Sequence, residues 1–457
     1  MTKVLPETLL RALREHPRTG SAELCRLLGG INRSTLARGV QVLEERVVSR
    51  GSSRRSRYAL RRELRGSLAA LPLYRIDETG QGHEVGQLDL LYPAGSALAL
   101  REPFLWPLDD NSRDGWFDGL PYPLMDMRPQ GFLGRNFAHQ HGPDLAVSDN
   151  PEAWSESDIA HVLSTMGSDL PGNLILGERA YRRFLDSKLL ARGSALLAGQ
   201  LELAYPDLAA AALAQGAGGS SAGGEFPKFT ARRYMGERLV EVIVKFSGAD
   251  GSLAVQRWAD LLVCEHLALE TVNQQLGIQA AQSAIRHYAG RTFLEVLRFD
   301  RHDNFGRSPV CTLSSINASL LGTAAQPWPR TAQLLHKKGW LSAESVAAIE
   351  RIWWFGRLIG NTDMHEGNLA FRPGLTLAPT YDMLPMLYAP LRGGELPTRA
   401  YAPELPLPAE TPAWRQAAEA ARYYWRLCLA DPRISPAFQQ ICAENAQTLD
   451  QVRANSF

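Results

Sequence analysis

The sequence predicts an α+β chain of two lobes behind a small basic helical domain, and three observations carry that expectation. Residues 1–65 hold 15 Lys+Arg against 6 Asp+Glu, whereas the remainder holds 34 against 42. The middle of the chain mixes short strand-like runs with helical ones, and from Ser342 onward helical patterns dominate. The carboxylates Asp363, Glu366 and Asp382 stand in apolar frames, "LIGNTDMHEGNLAF" and "APTYDMLPM". An unpartnered ion there is costly, so these groups must serve a cation or a proton.

At 457 residues and 45% hydrophobic composition the chain can bury a large core. A prior of about 150 residues per domain gives two to four domains. Four parts are expected: 1–68, 69–150, 151–300 and 301–457. The five cysteines are scattered, odd in number and never in CxxC spacing. That argues against a disulfide framework or a zinc ribbon and fits a reducing compartment. No signal-peptide core and no run of 18 apolar residues is present. A cytoplasmic protein without a membrane partner is therefore expected.

Within residues 6–46, "PETLLRALREH", "SAELCRLLG" and "NRSTLARGVQVLEER" read as three short helices whose leucines can close a core. Two β-prone pieces follow, Val47–Arg50 and Arg57–Leu60, around a Gly-Ser-Ser-Arg-Arg turn. This is the layout of a winged helix-turn-helix. Its third helix would offer Arg33, Ser34, Thr35, Arg38 and Gln41 to a major groove, with Arg54, Arg55 and Arg57 of the wing on phosphate. The basic excess of this segment alone makes DNA its expected partner. A solvated face on a protein-interaction domain is the plainer reading.

Residues 69–150 read as a small β-rich module. His139 and His141 would share one face of a strand there, near Asp144, but lack a convincing third ligand, so no metal site is assigned. Further on, a glycine-serine loop precedes a strand or hairpin, "YMGERLVEVIVKFSG". The helix "RWADLLVCEHLALETVNQQLG" and the strand "TFLEVLRFDR" complete an N-lobe with a helical C-lobe behind it.

That order matches the needs of ATP with Mg2+. Backbone amides of Ser220, Ser221, Ala222, Gly223 and Gly224 can cover phosphates, and Lys245, in the apolar strand "VIVKF", can meet them. Asp363 and Asn368 reproduce the D-x-x-x-x-N spacing that puts a base and a metal-binding amide oxygen on one turn; Asp382 supplies the following carboxylate. His365 is read as orienting this loop beside the nucleotide. The fold expected is thus bilobal and protein-kinase-like.

These residues resemble a family. "LIGNTDMHEGN" followed by "YDM", and preceded by "SSAGGEFPKF", "VIVKF" and "LRFDR", is similar to the HipA-like serine/threonine kinases, toxins of bacterial toxin–antitoxin modules. The resemblance covers roughly residues 80–440, and the fused N-terminal helix-turn-helix is that of the YjjJ (HipH) type. It implies a HipA-type fold in which 69–150 is the N-terminal subdomain. It makes Asp363 the catalytic base, Asn368 and Asp382 the magnesium ligands, and Lys245 the nucleotide lysine. "EVLRFD", with Glu295, Leu297, Phe299 and Asp300, becomes the hinge under adenine, Asp300 lying near the ribose. Ser220 becomes the site of autophosphorylation, with Ser221 as alternative. A protein acceptor, of which an aminoacyl-tRNA synthetase is one example, and a separate antitoxin are the partners it suggests. Leu297 stands where the family commonly has Glu, and either Asp260 or Glu265 must pair with Lys245. Two other readings compete: a DNA-binding regulator with a nucleotide-sensing pseudokinase body, and a nuclease built on Asp363, Asp382 and Glu366.

Overall fold

The computed structural model describes the chain except for residues 1–3, 53–54, 111, 216–225, 392 and 457. The N-terminal unit comprises α1 (Val4–Glu15), β1 (Thr19–Gly20), α2 (Ser21–Leu27), α3 (Arg33–Val42), β2 (Val47–Arg50) and β3 (Arg57–Leu60). Its leucines fall at helical spacing, so Leu9, Leu13, Leu24 and Leu36 meet in one core closed by Val47 and Leu60. Asn32 caps α3, accepting a hydrogen bond from the Thr35 amide at 2.8 Å. The hairpin has the expected bounds, and β3 lies between β1 and β2.

The next unit is a five-stranded antiparallel sheet in the order β7-β6-β5-β4-β8. Its strands are β4 (Leu71–Ile76), β5 (Gly82–Leu90), β6 (Ser96–Leu100), β7 (Trp116–Phe117) and β8 (Leu174–Leu176). The last strand comes from beyond residue 150, where the sequence reading drew a boundary. Between β7 and β8 lie α4 (Tyr122–Asp126), α5 (Gly131–Leu145) and α6 (Glu156–Met166). The expected strand around His139 and His141 is therefore helix. Two residues apart on a helix, they do not face the same way. Among the described residues no cluster of three His, Cys, Asp or Glu could hold a metal.

Two helices, α7 (Glu178–Ser194) and α8 (Leu201–Gln215), lead to a second antiparallel sheet. It is ordered β11-β12-β10-β9 and built from β9 (Lys228–Met235), β10 (Arg238–Phe246), β11 (Ser283–Tyr288) and β12 (Arg291–Leu297). The alternation of β10 sends Val240, Val242, Val244 and Phe246 into a core with Tyr205 and Ala209 of α8. The other face, carrying Lys245, meets α9 (Leu253–Gln275).

Helix α9 also contributes Leu261, Leu262 and Cys264 to the large C-terminal core. That part holds β13 (Cys311–Thr312), α10 (Leu313–Ile316), α11 (Trp328–Lys337), α12 (Ala343–Leu358), β14 (Ala370–Arg372), β15 (Thr376–Leu377), α13 (Thr411–Ala430) and α14 (Pro436–Ser456). Trp328, Phe355, Trp414, Trp425 and Phe438 are almost wholly buried at its centre. No helix among the described residues is long and apolar enough to cross a membrane.

Candidate active site

Lys245 organises the site. Its ammonium donates to both carboxylate oxygens of Glu265, each at 2.7 Å, and to Asp382 Oδ1. The lysine side chain is 7% exposed and that of Glu265 1%, so the charges meet where water cannot screen them. Burial alone would lower the Lys245 pKa, but the carboxylates of Asp382 and Glu265 hold it above its ordinary value. Burial would raise Asp382; the ammonium groups of Lys245 and Lys228 instead bring it to about 2. Asp260, the other candidate partner, is committed to Ser435 and Gln256. Five positions apart on one helix, Asp260 and Glu265 point to different sides.

The loop of the opening motif alternates inward and outward. Asn361, Glu366 and Asn368 are buried, whereas Asp363 and His365 are exposed. Asn361 accepts from the Asp363 amide at 3.0 Å and donates to the Asp382 carbonyl at 3.2 Å, linking the two segments. The Asn368 amide nitrogen donates to the Asp363 carbonyl at 2.8 Å, and among the described residues its carboxamide oxygen accepts no hydrogen bond. Trp328 Nε1 holds the His365 carbonyl at 2.9 Å and Tyr381 Oη holds that of Gly367 at 2.7 Å. Glu366, which the sequence offered as a metal ligand, accepts instead from Asn317 Nδ2 at 2.9 and 3.0 Å and Thr331 Oγ1 at 2.7 Å. It is an anchor beneath the loop. Asp382 itself has φ of 54°, a left-handed backbone that Asp tolerates better than most residues.

Asp363, His365, Asn368 and Asp382 line one cleft of about 1240 Å³, together with Lys228. The expected hinge residues do not line it. Glu295 sits beneath the sheet, bound by Arg233 of β9, with Nε at 2.8 Å, and by the Tyr205 hydroxyl at 2.6 Å. Asp300 accepts from the Gly172 amide at 2.9 Å and from Arg301 at 2.6 Å, inside an ion cluster with Arg298. Both carboxylates are thus engaged by internal cations, and Asp300, which the resemblance puts near a ribose, is buried in that cluster. Leu297 pairs with Val242 and is half-buried, and Phe299 packs on Tyr381 at 5.8 Å between ring centres. Ser220, Ser221, Ala222, Gly223 and Gly224 lie outside the described residues.

In the N-terminal unit, Arg33, Ser34, Arg38 and Gln41 are exposed on α3 and Thr35 is half-exposed. Arg54 is outside the described residues. Arg55 pairs with Asp114 at 3.6 Å, and Arg57, expected on DNA phosphate, lines the cleft that holds Asp363. Nothing in the sequence marked that second role, because it depends on how the hairpin rests on the neighbouring sheet.

The model of the YjjJ-like toxin middle domain matches residues 67–185, and that of the HipA-like C-terminal domain matches residues 220–450. The chain is 36% identical over 426 residues to the toxin YjjJ of Escherichia coli K12, covering 92% of this chain and 93% of that protein. Among solved structures, the HipA–HipB–operator DNA complex of Shewanella oneidensis matches with a TM-score of 0.49 at 14% identity, over 85% of this chain and 100% of that one. The Helicobacter pylori proinflammatory kinase CtkA matches with 0.33 at 11% identity, over 49% of this chain and 90% of that one. Both scores are too low to bear on what this chain does.

Proposed function

Because this chain belongs to the HipA-like toxin family, in its YjjJ-like branch, we propose that it is a toxin that restrains growth as a magnesium- and ATP-dependent serine/threonine protein kinase, with an N-terminal DNA-binding unit. The observation that carries this reading is Lys245 held between Glu265 and Asp382, beside a loop that presents Asp363 and Asn368 to one cleft. The donor set fits the group it would serve. Asp382 and the uncommitted oxygen of Asn368 are hard oxygen ligands suited to magnesium, and Lys245 is a fixed cation for phosphate. When bound, magnesium supplies neutralisation of the charge on the phosphates.

The chain's own groups do the rest. Asp363 is ionisable, exposed and backed by a loop fixed at four points, so it can accept the proton of an acceptor hydroxyl. Lys245 stays an ammonium throughout the physiological range because two carboxylates hold it there. Ser220 on the glycine loop, with Ser221 as alternative, remains our candidate for autophosphorylation. DNA contact is assigned to α3 through Arg33, Ser34, Thr35, Arg38 and Gln41, with the wing contributing less than its composition suggests. A protein acceptor, for instance an aminoacyl-tRNA synthetase, and a separate antitoxin belong to the same reading. The nuclease alternative loses its third carboxylate, since Glu366 is an anchor.

The test is purified protein with γ-labelled ATP and magnesium, followed by mass mapping of phosphosites. Transfer to Ser220 or Ser221, or to an added protein, supports the kinase. Nucleotide binding without any transfer leaves the pseudokinase regulator, and absence of both overturns the reading.

A further inference from the structure

We propose that Arg57 of the N-terminal unit and Arg128, which follows α4, form an anion subsite of the catalytic cleft that anchors an acidic polypeptide segment carrying the acceptor hydroxyl. The proposal rests on the kinase reading and names the substrate class of that site.

The N-terminal unit is fastened to the five-stranded sheet as a wall of the cleft. Val48 and Ala59 are buried against Leu91, Ala97 and Trp116. Arg50 and Arg61 both bind the buried Asp89, at 2.7 and 2.8 Å. Arg18 binds Asp118 at 2.5 Å, Arg62 binds Glu156 at 2.5 Å and Arg65 binds Asp158 at 2.7 Å. Much of the basic excess that pointed to a polyanion is therefore neutralised within the chain.

Arg57 and Arg128 are different. Neither has a carboxylate partner among the described residues, and both line the cleft that holds Asp363. A guanidinium with five donors and no acceptor, standing at a cleft, is matched by a carboxylate or phosphate that can take two of them. The rest of the lining is mixed: Trp116, Phe117 and Tyr122 stand beside Asp109, Asp118 and Asp126, of which Asp118 is paired with Arg18 and Asp126 is bonded to Thr312 and Ser315. A nucleic acid tracks a continuous row of cations with stacked bases. A polyanion would meet the aspartates of this lining, so two guanidiniums without a carboxylate partner among the described residues suit instead a short peptide whose acidic side chains flank a hydroxyl.

The test uses the full chain and three fluorescein-labelled peptides, a serine flanked by aspartates and its asparagine and lysine counterparts. Anisotropy without nucleotide reads binding, and transfer from Mg-ATP reads chemistry. The aspartate peptide should bind about 10-fold more tightly than the asparagine one, as expected of charge-assisted pairs. Arg57→Ala and Arg128→Ala should each abolish most of that preference, and Arg57→Lys should restore part of it. Arg14→Ala, an exposed arginine of α1 away from the cleft, should not change it. Equal binding of the lysine peptide, or unchanged preference in both Ala variants, overturns the subsite. So does a single-stranded oligonucleotide that binds through Arg57 and Arg128 while the aspartate peptide does not. If the aspartate peptide binds through these arginines but receives no phosphate while Ser220 or Ser221 does, the kinase reading stands and the acceptor subsite falls; if neither the peptide nor the chain itself is phosphorylated, the kinase reading falls.

Discussion

Glu265→Gln isolates the charge that keeps Lys245 in place. The substitution preserves volume and one acceptor oxygen, but removes the negative charge and turns an amide donor towards an ammonium. Two contacts of 2.7 Å are affected, at side chains 7% and 1% exposed. Hydrogen bonds to charged groups contribute about 1.5–3 kcal/mol each. Because Asp382 still neutralises Lys245 and the glutamine oxygen keeps one neutral bond, the loss should be about 2–4 kcal/mol rather than the larger cost of a stranded ion. At roughly 2–4 °C per kcal/mol for a lobe of this size, melting should fall by about 4–16 °C. Lys245 lies above its ordinary value, so its contribution is full below about pH 10.4 and is lost only as pH rises past that. Burial pushes the Glu265 carboxyl above its ordinary value, so the deficit should be constant on the alkaline side up to about pH 9 and shrink towards acid as the wild-type carboxylate protonates. With one carboxylate gone, Lys245 binds Asp382 alone and competes with a metal there, so Mg-ATP affinity should fall about 10-fold, or ~1.4 kcal/mol. Scanning calorimetry and titration with Mg-ATP read the two effects. A variant that melts with the wild type and binds Mg-ATP as tightly would refute the proposed role of this ion pair.

The other predictions follow from single contacts. Thr331→Val, which removes a buried 2.7 Å hydrogen bond to Glu366, should cost about 1–2 kcal/mol by denaturant titration and lower the transfer rate more than ATP affinity. An unchanged rate would mean that the anchor beneath the loop does not position Asp363. Asp382 titrates at about 2, so its contribution to stability is present above the unfolded value near 4 and is lost as pH falls from there to about 2. Asp382 should accordingly put no acid limb on Mg-ATP binding between about pH 5 and 8, whereas burial pushes the Glu265 carboxyl up and its protonation can weaken binding towards acid; a limb in that range that survives in Glu265→Gln would show another group holding the metal. Arg38→Ala, exposed on α3, should weaken duplex binding and reduce the salt slope by about one if it meets phosphate, or change sequence preference if it meets a base. Wild-type affinity, slope and preference together would remove α3 from the interface.

Local signals explain what could be read from residues alone. The hairpin Val47–Arg50 and Arg57–Leu60 was legible because a glycine-serine turn separates two β-prone runs, and its bounds match. Lys245 was legible as a buried cation because the apolar alternation of "VIVKF" leaves no other place for it. Its partner was not, since choosing between Asp260 and Glu265 requires knowing which side of α9 meets the sheet. "GFLGRNFAHQHGPDL" folds as α5 although its apolar residues make no clear helical stripe. The internal partners of Glu295 and Asp300 were not legible: Arg233 lies 62 residues from Glu295, and although Arg298 and Arg301 flank Asp300 in sequence, the Gly172 amide that fixes it is 128 residues away. Ion pairs of that kind leave no periodic trace. The double setting of Arg57, on the β2–β3 hairpin and in a cleft, exists only after two units pack.

Asp363→Asn tests the central claim most directly. The exposed carboxylate makes no contact that holds Lys245 or Asp382 in place. The variant should therefore bind Mg-ATP nearly as the wild type does, while transfer of labelled phosphate falls by about 10²–10⁴-fold, the usual contribution of a positioned base. Full transfer by Asp363→Asn, or failure of the wild type to bind Mg-ATP at all, would contradict the account.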